Sequence, residues 1–241
     1  MSTRPIVVIG RLSPERASAL LVRARAAEPT YAEVGSTLRG RAVRGASGHG
    51  GSGPFAQLTV LAGSDERIRL TGPPFPRLSA RPPGGADAPD FAAERELGTG
   101  RDPFERARAA LRAFVPQRAV ASVLPDDAVA VLGATVLVAL RLGPVTVVAP
   151  DRIVAVVDEA DRWGFAYGTL PGHPERGEEG FEVVARPDGS VVARVTVSAR
   201  PALPASSLLA PVVQRVSRHY AGRYLDALQA AILAGDELRR P

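Results

Sequence analysis

The sequence predicts an α+β fold: a curved antiparallel sheet wrapped around a long C-terminal helix, with an N-terminal helical extension. Three observations carry this. Between residues 118 and 199 the pattern runs at strand period through short segments with short connections, which makes neighbouring strands antiparallel. In the last segment Val191, Ala193, Val195, Val197 and Ala199 share one side while Arg194, Thr196 and Ser198 share the other, so one sheet face is covered. Beyond it Leu209, Val213, Val216, Tyr220, Tyr224, Ala227 and Ala231 are spaced as one stripe on a helix, which supplies the cover.

Composition bounds the rest. The chain has 241 residues, 45% of them hydrophobic, and no cysteine. This excludes a disordered chain, disulfide scaffolds, thiolate metal sites, iron–sulfur clusters and cysteine nucleophiles. The longest apolar stretch, residues 128–140, falls well short of the roughly 20 residues of a membrane-spanning helix, and residues 6–9 make no secretory signal. A cytoplasmic protein without a membrane span is expected. The net charge of +5 invites a nucleic-acid reading, yet every basic residue is arginine, like charges form no stripe and aromatic residues make up only 5%. With few stacking platforms, nucleic acid is not an expected partner. An excess of Arg, Ala, Gly and Pro without Lys is what GC-rich coding yields. The oligomeric state is not legible.

The elements follow in order. Residues 6–10 suit a strand, and residues 14–27 a helix with Ser13 as cap, Pro14 in the first turn and Glu15 near the positive end. Gly10 stands alone where a dinucleotide fold needs several spaced glycines, so that reading is rejected. Residues 1–38 thus read as an extension packing on the main domain, residues 39–90 as a Gly/Pro-rich, partly mobile insertion, and residues 91–241 as the main domain. Inside the insertion, residues 55–61 and 67–70 are candidate strands of one hairpin, and His49 lies in a glycine run as a solvated loop residue. A strand from Phe91 leads through Gly98 and Gly100 to a helix ending near Phe114, for which Asp102 is the expected N-cap, Pro103 the first-turn proline and Glu105 the capping-box acid.

After Pro116 strands are expected at residues 118–124, 134–142, 145–148, 153–159, 163–170, 181–186 and 191–199, the second and third of these forming one bent strand if they merge. Pro187-Asp188-Gly189 suits a tight hairpin turn. The last helix, residues 210–234, spans about 35 Å, with Pro211 in its first turn, Ser206 and Ser207 ahead of it as caps and Gly235 as its stop. Strand, short helix, antiparallel meander and long terminal helix follow one another as in the helix-grip fold.

The stretch 164–181, Gly-Phe-Ala-Tyr-Gly-Thr-Leu-Pro-Gly-His-Pro-Glu-Arg-Gly-Glu-Glu-Gly-Phe, resembles the signature of uncharacterised protein family 0548, a family of unknown function in the Bet v 1-like (START-like) superfamily. Tyr31-Ala-Glu-Val-Gly35 followed by Ser36-Thr37, Leu97-Gly-Thr-Gly100 and Phe104-Glu-Arg-Ala107 support the resemblance, and the 39–90 segment departs from it. The resemblance implies a helix-grip domain that binds an apolar or amphipathic small molecule, with cyclase or hydrolase chemistry in some members of the superfamily. It brings no settled activity.

Read from its residues alone, the same stretch puts Trp163, Phe165 and Tyr167 on one strand face and Gly164, Ala166 and Gly168 on the other, leaving a bare strip for the close approach of a helix or a ligand. Residues 170–180 read as a loop carrying His173, Glu175, Arg176, Glu178 and Glu179. These groups suit acid–base work or a metal, but ligand spacing is irregular, and a loop fixed by Pro171, Gly172 and Pro174 with acids accepting from backbone N–H groups accounts for them equally. No catalytic residue is assigned; His173, Glu175 and Glu178 are the candidates, and neither metal nor cofactor is expected. The expected function is non-catalytic binding between sheet and terminal helix, lined by Trp163, Phe165, Tyr167, Val195, Val197, Tyr220 and Tyr224. The alternatives are an enzyme using His173 with Glu175 or Glu178, and an interaction module with a filled cavity.

Overall fold

The computed structural model describes residues 4–32, 34–38, 57–62, 66–71, 91–202 and 210–237. In chain order these form β1 (Ile6–Ile9), α1 (Pro14–Arg25), β2 (Gln57–Ala62), β3 (Glu66–Thr71), β4 (Phe91–Thr99), α2 (Arg101–Arg112), α3 (Val115–Arg118), β5 (Ser122–Leu124), β6 (Thr135–Leu142), β7 (Val145–Asp158), β8 (Arg162–Thr169), β9 (Glu175–Ala185), β10 (Ser190–Pro201) and α4 (Ala210–Glu237). One antiparallel sheet runs in the order β2-β3-β4-β10-β9-β8-β7-β6-β5. β1 pairs with Val145 to Val148 of β7, alongside the part of that strand which β8 leaves uncovered. The sheet curves around α4, the helix-grip architecture. Among the described residues no helix is long and apolar enough to cross a membrane. The glycine run with His49, the prolines at 73–83, and Ser206, Ser207 and Leu209 lie outside the described residues.

Alternation builds the two faces. Trp163, Phe165 and Tyr167 of β8, Phe181 and Val183 of β9, and the odd-numbered residues 191–197 of β10 turn toward α2 and α4 and form the main core with Phe104, Leu111, Leu225 and Leu228. On the outer face a smaller core joins Leu21 and Ala24 of α1 to Val8, Leu137, Val148 and Leu170. Ser13 caps α1, its Oγ accepting from the Arg16 N–H at 3.3 Å. The turn between β9 and β10 is the expected one: Gly189 has φ +83° and Asp188 Oδ1 accepts from the Ser190 N–H at 2.9 Å.

Six local expectations are corrected. Asp102 does not cap α2: Gly100, at φ +87°, holds the N-cap position, and Asp102 sits in the first turn, 2.9 Å from Arg106. Residues 118–124 are not one strand, because Phe114 in the left-handed region (φ 57°) restarts the chain as α3, whose first turn accepts Pro116. Residues 134–142 and 145–148 stay separate, and it is 145–148 and 153–159 that join as β7. Pro150 is tolerated inside β7 because it falls between Val148, the last partner of β1, and Asp151, the first of β8. The 170–180 loop shrinks, since β9 already begins at Glu175. The buried stripe of α4 is Ala221, Tyr224, Leu225, Leu228 and Ile232, turned from the expected one, with Tyr220, Ala227 and Ala231 only partly buried. The larger apolar area of Leu225, Leu228 and Ile232 decides which side faces inward. Gly235 does not stop α4, which continues to Glu237.

Candidate functional site

The aromatic face of β8 divides into a packed part and a polar end. Trp163 and Phe165 are fully buried; Phe165 stacks on Phe181 at 5.2 Å and meets the edge of Phe114 at 5.2 Å. Val195 and Val197 are buried in the same core. Phe181 continues the chain of rings to Tyr224 at 5.5 Å, and Tyr220, partly buried, lies 6.5 Å from Tyr224. Of the expected wall, Trp163 and Phe165 are therefore enclosed by protein, while Tyr167, Tyr224 and Tyr220 lead to where apolar packing ends.

Acids occupy that end. The Tyr167 hydroxyl donates to Glu179 Oε2 at 2.5 Å. Burial raises the Glu179 carboxyl to about 8, the Glu175 charge adds to the rise and the Tyr167 hydrogen bond opposes it. Burial, with Glu179 beside them, likewise pushes the Tyr167 and Tyr224 hydroxyls well above their ordinary range. Asp151 of β7 is 1% exposed and its Oδ1 has no hydrogen-bond partner. Burial first, then the charges of Glu179 and Glu175, holds this carboxyl well above the usual carboxylate range. The Nε2 of His173 lies 3.6 Å from that oxygen.

The connection between β8 and β9 brings His173 there. Gly172 adopts φ +99°, where a Cβ would come within 2.5 Å of Ile6 Cδ1, and its carbonyl accepts from the Ile6 N–H at 2.9 Å. The chain so bent folds over the end of β7. His173 Nδ1 lies 2.8 Å from the Glu175 N and 3.0 Å from the Glu175 carbonyl oxygen, which fixes the ring with Nε2 facing Asp151. Burial lowers the imidazole to about 4, so it is neutral at physiological pH. Glu175 shares the sheet face of Glu179, four residues along β9.

Glu178 is on the other face, and its role as a partner of His173 is corrected. It is 1% exposed and accepts from the Tyr31 hydroxyl at 2.9 Å, the Gly35 N–H at 2.6 Å, the Thr37 N–H at 2.8 Å and the Thr37 hydroxyl at 2.5 Å. The occupant of the bare strip is this N-terminal strap: a Cβ on Gly168 would stand 2.1 Å from the Tyr31 hydroxyl, and one on Gly180 2.8 Å from Thr37 Oγ1. Burial and the Glu178 charge push the Tyr31 hydroxyl upward. Glu182, next on this face, is held by Arg162 at 2.7 Å and Arg194 at 2.9 Å. The residue that the sequence reading missed is Asp151; its only signal was an acid two positions before the core residue Ile153, hence on the same strand face.

A family model described as a domain of unknown function, DUF1990, matches residues 78–227. A UPF0548 protein of Deinococcus radiodurans is 37% identical over 145 residues, covering 52% of this chain and 71% of that one. Among solved structures, human STARD10 aligns at a TM-score of 0.48 with 12% identity, over 77% of this chain and 76% of its own. A hypothetical protein from Helicobacter pylori aligns at 0.46 with 12% identity, over 61% and 89%.

Proposed function

The chain belongs to the DUF1990 family, and we propose that this member binds an amphipathic small molecule, without catalysis, at the polar end of the face between sheet and terminal helix. The apolar part lies against Tyr220, Tyr224 and Val197; the polar part meets Tyr167, Glu179 and Asp151. The observation that carries this reading is the Asp151 carboxyl, buried with an oxygen that has no hydrogen-bond partner and stands 3.6 Å from His173 Nε2, beside the partly accessible Glu179. Buried polar atoms in folded proteins nearly always have a partner, so an orphan next to an accessible group supports a missing occupant. The packed Trp163–Phe165 region restricts the site to one end and supplies its rigid floor. The cysteine-free composition suits a reducing cytoplasm.

Native mass spectrometry of freshly purified protein tests the proposal: a retained small molecule is the expected result. Bare chain alone, together with no thermal shift across a panel of amphiphiles, overturns it.

One observation favours a second reading. A carboxyl raised to about 8, hydrogen-bonded to a tyrosine and near a neutral imidazole, has the protonation state of a general acid. In a cyclase or hydrolase built here Glu179, not Glu178, would handle the proton, and a Glu179→Gln variant that binds a retained compound but no longer converts it would decide for the enzyme.

A further inference from the structure

Resting on the binding reading, we infer that the ligand carries a positive charge: the polar end of the site takes an amine or quaternary ammonium group on an apolar body. The charge pattern of the whole chain points there. Arginine is abundant, and several acids elsewhere pair with it, Glu94 with Arg186 and Arg194, Glu182 with Arg162 and Arg194, Asp158 with Arg108, Asp226 with Arg95, while buried Glu178 is satisfied by its four donors from the strap. Asp151 and Glu179 are the contrast. Among the described residues neither forms an ion pair with an arginine, and the charges that act on Asp151 are those of Glu179 and Glu175, of its own sign. Its one basic neighbour, His173, is a neutral ring.

A buried carboxyl whose Oδ1 has no hydrogen-bond partner, with a second acid nearby, ionises only at a cost, and a cation bound beside it offsets that cost. The surrounding side chains suit the same guest. Tyr220, partly buried 6.5 Å from Tyr224, puts an aromatic ring at this end, and such rings attract a cation through their quadrupoles. A carboxylate or phosphate headgroup would meet acids and no described arginine. The groups that face the site are Asp151 on β7, Tyr167 on β8, Glu175 and Glu179 on β9, His173 between them, and Tyr220 and Tyr224 on α4; Arg218 of α4 is engaged over the Phe91 ring, 6.0 Å from its centre.

The test uses the full chain and three C12 probes below their micelle concentrations, dodecyltrimethylammonium, dodecanol and dodecanoate, by titration calorimetry at pH 8. The expected order is cation first, by about tenfold or more over the neutral probe, with dodecanoate weakest. Asp151→Asn and Glu179→Gln, each isosteric and checked for native circular dichroism, should narrow the preference for the cation over dodecanol, measured on the same variant, to within about twofold. Equal binding of cation and neutral probe, or tighter binding of dodecanoate, overturns the inference yet leaves an amphipathic site in place. Failure of all three probes with no retained ligand in native mass spectrometry overturns the binding reading as well. The wild-type ranking decides even if a variant fails to fold.

Discussion

Glu178→Gln isolates the clamp on the N-terminal strap. The carboxylate takes four donors, two on each oxygen: Tyr31 hydroxyl and Gly35 N–H on one, Thr37 N–H and hydroxyl on the other. Glutamine keeps the shape but offers one acceptor oxygen and turns an NH2 toward the other pair. The hydroxyl in that pair can rotate and accept. The backbone N–H cannot, and it is left unsatisfied in a buried site at a cost of about 1–3 kcal/mol, while the surviving bonds lose their charge assistance. The sum is about 2–4 kcal/mol. The strap is also tied by the Thr30 N–H to the Thr169 carbonyl at 2.9 Å and by Arg162 to the Leu38 carbonyl at 3.0 Å, so the loss falls first on local opening of residues 30–38. Amide hydrogen exchange should show protection of Gly35 and Thr37 reduced by roughly 30- to 900-fold, the equivalent of that energy. Glu179→Gln, on the opposite face, should leave those two amides within about threefold of wild type. Unchanged protection in Glu178→Gln, with a urea midpoint moved by the equivalent of under about 0.5 kcal/mol, would refute the clamp.

Gly177→Ala should destabilise by about 3 kcal/mol or more in urea unfolding, since φ is +142° and the new Cβ would come within 2.1 Å of the Ser198 carbonyl; Gly189→Ala, at φ +83° with open space around it, should cost about 1–2 kcal/mol. The pH dependence of stability should carry two opposed slopes. Glu179, raised from 4.5 to about 8, contributes stability fully present below pH 4.5 and lost as pH rises through 8, so Glu179→Gln should flatten the decline on the alkaline side. His173, lowered from 6.5 to about 4, contributes stability present above 6.5 and lost as pH falls through 4, so His173→Gln should flatten the acid side, both read from urea midpoints. Phe165→Ala should cost about 3–5 kcal/mol by opening the packed core, whereas Tyr220→Ala should cost little stability and weaken ligand binding; the reverse pattern would move the site toward Trp163.

The parts of the fold legible in the sequence are those buried on one side only. β10 and β8 announce their inner faces by alternation, and α1 announces its start by Ser13 and Pro14. The acids at the start of β9 conceal a strand, because Glu175, Glu178 and Glu179 look like a loop when read along the chain. What makes them a strand is non-local: pairing with β10 from Ala185↔Val191 to Glu175↔Pro201, and Gly177 and Gly180 leaving room for the Ser198 backbone and the Thr37 side chain. The turn of α4 was hidden for a related reason, since Ala227 and Ala231 are apolar as well and only the sheet selects the side with Leu225 and Leu228. For the site, Tyr167 and His173 were legible as residue types, but Asp151 was not, because an acid in mid-strand reads as exposed until the β8–β9 connection folds over it.

Glu178 and Glu179 then show how position, rather than residue type, assigns a role. They are neighbours in sequence and opposite in environment: one carboxylate is saturated by four donors from the strap, and the other is held by one tyrosine among like charges. A slip of β9 by a single residue would exchange them, putting Glu178 against Tyr167 and Glu179 under the strap. The strap resists that slip, because Gly180 alone leaves space for Thr37 and Gly168 alone leaves space for Tyr31. The two sequence motifs, residues 31–37 and 164–181, thus meet on the outer face to fix a register whose consequence is on the inner one. The clamp on Glu178 is what keeps Glu179 pointed toward Tyr167.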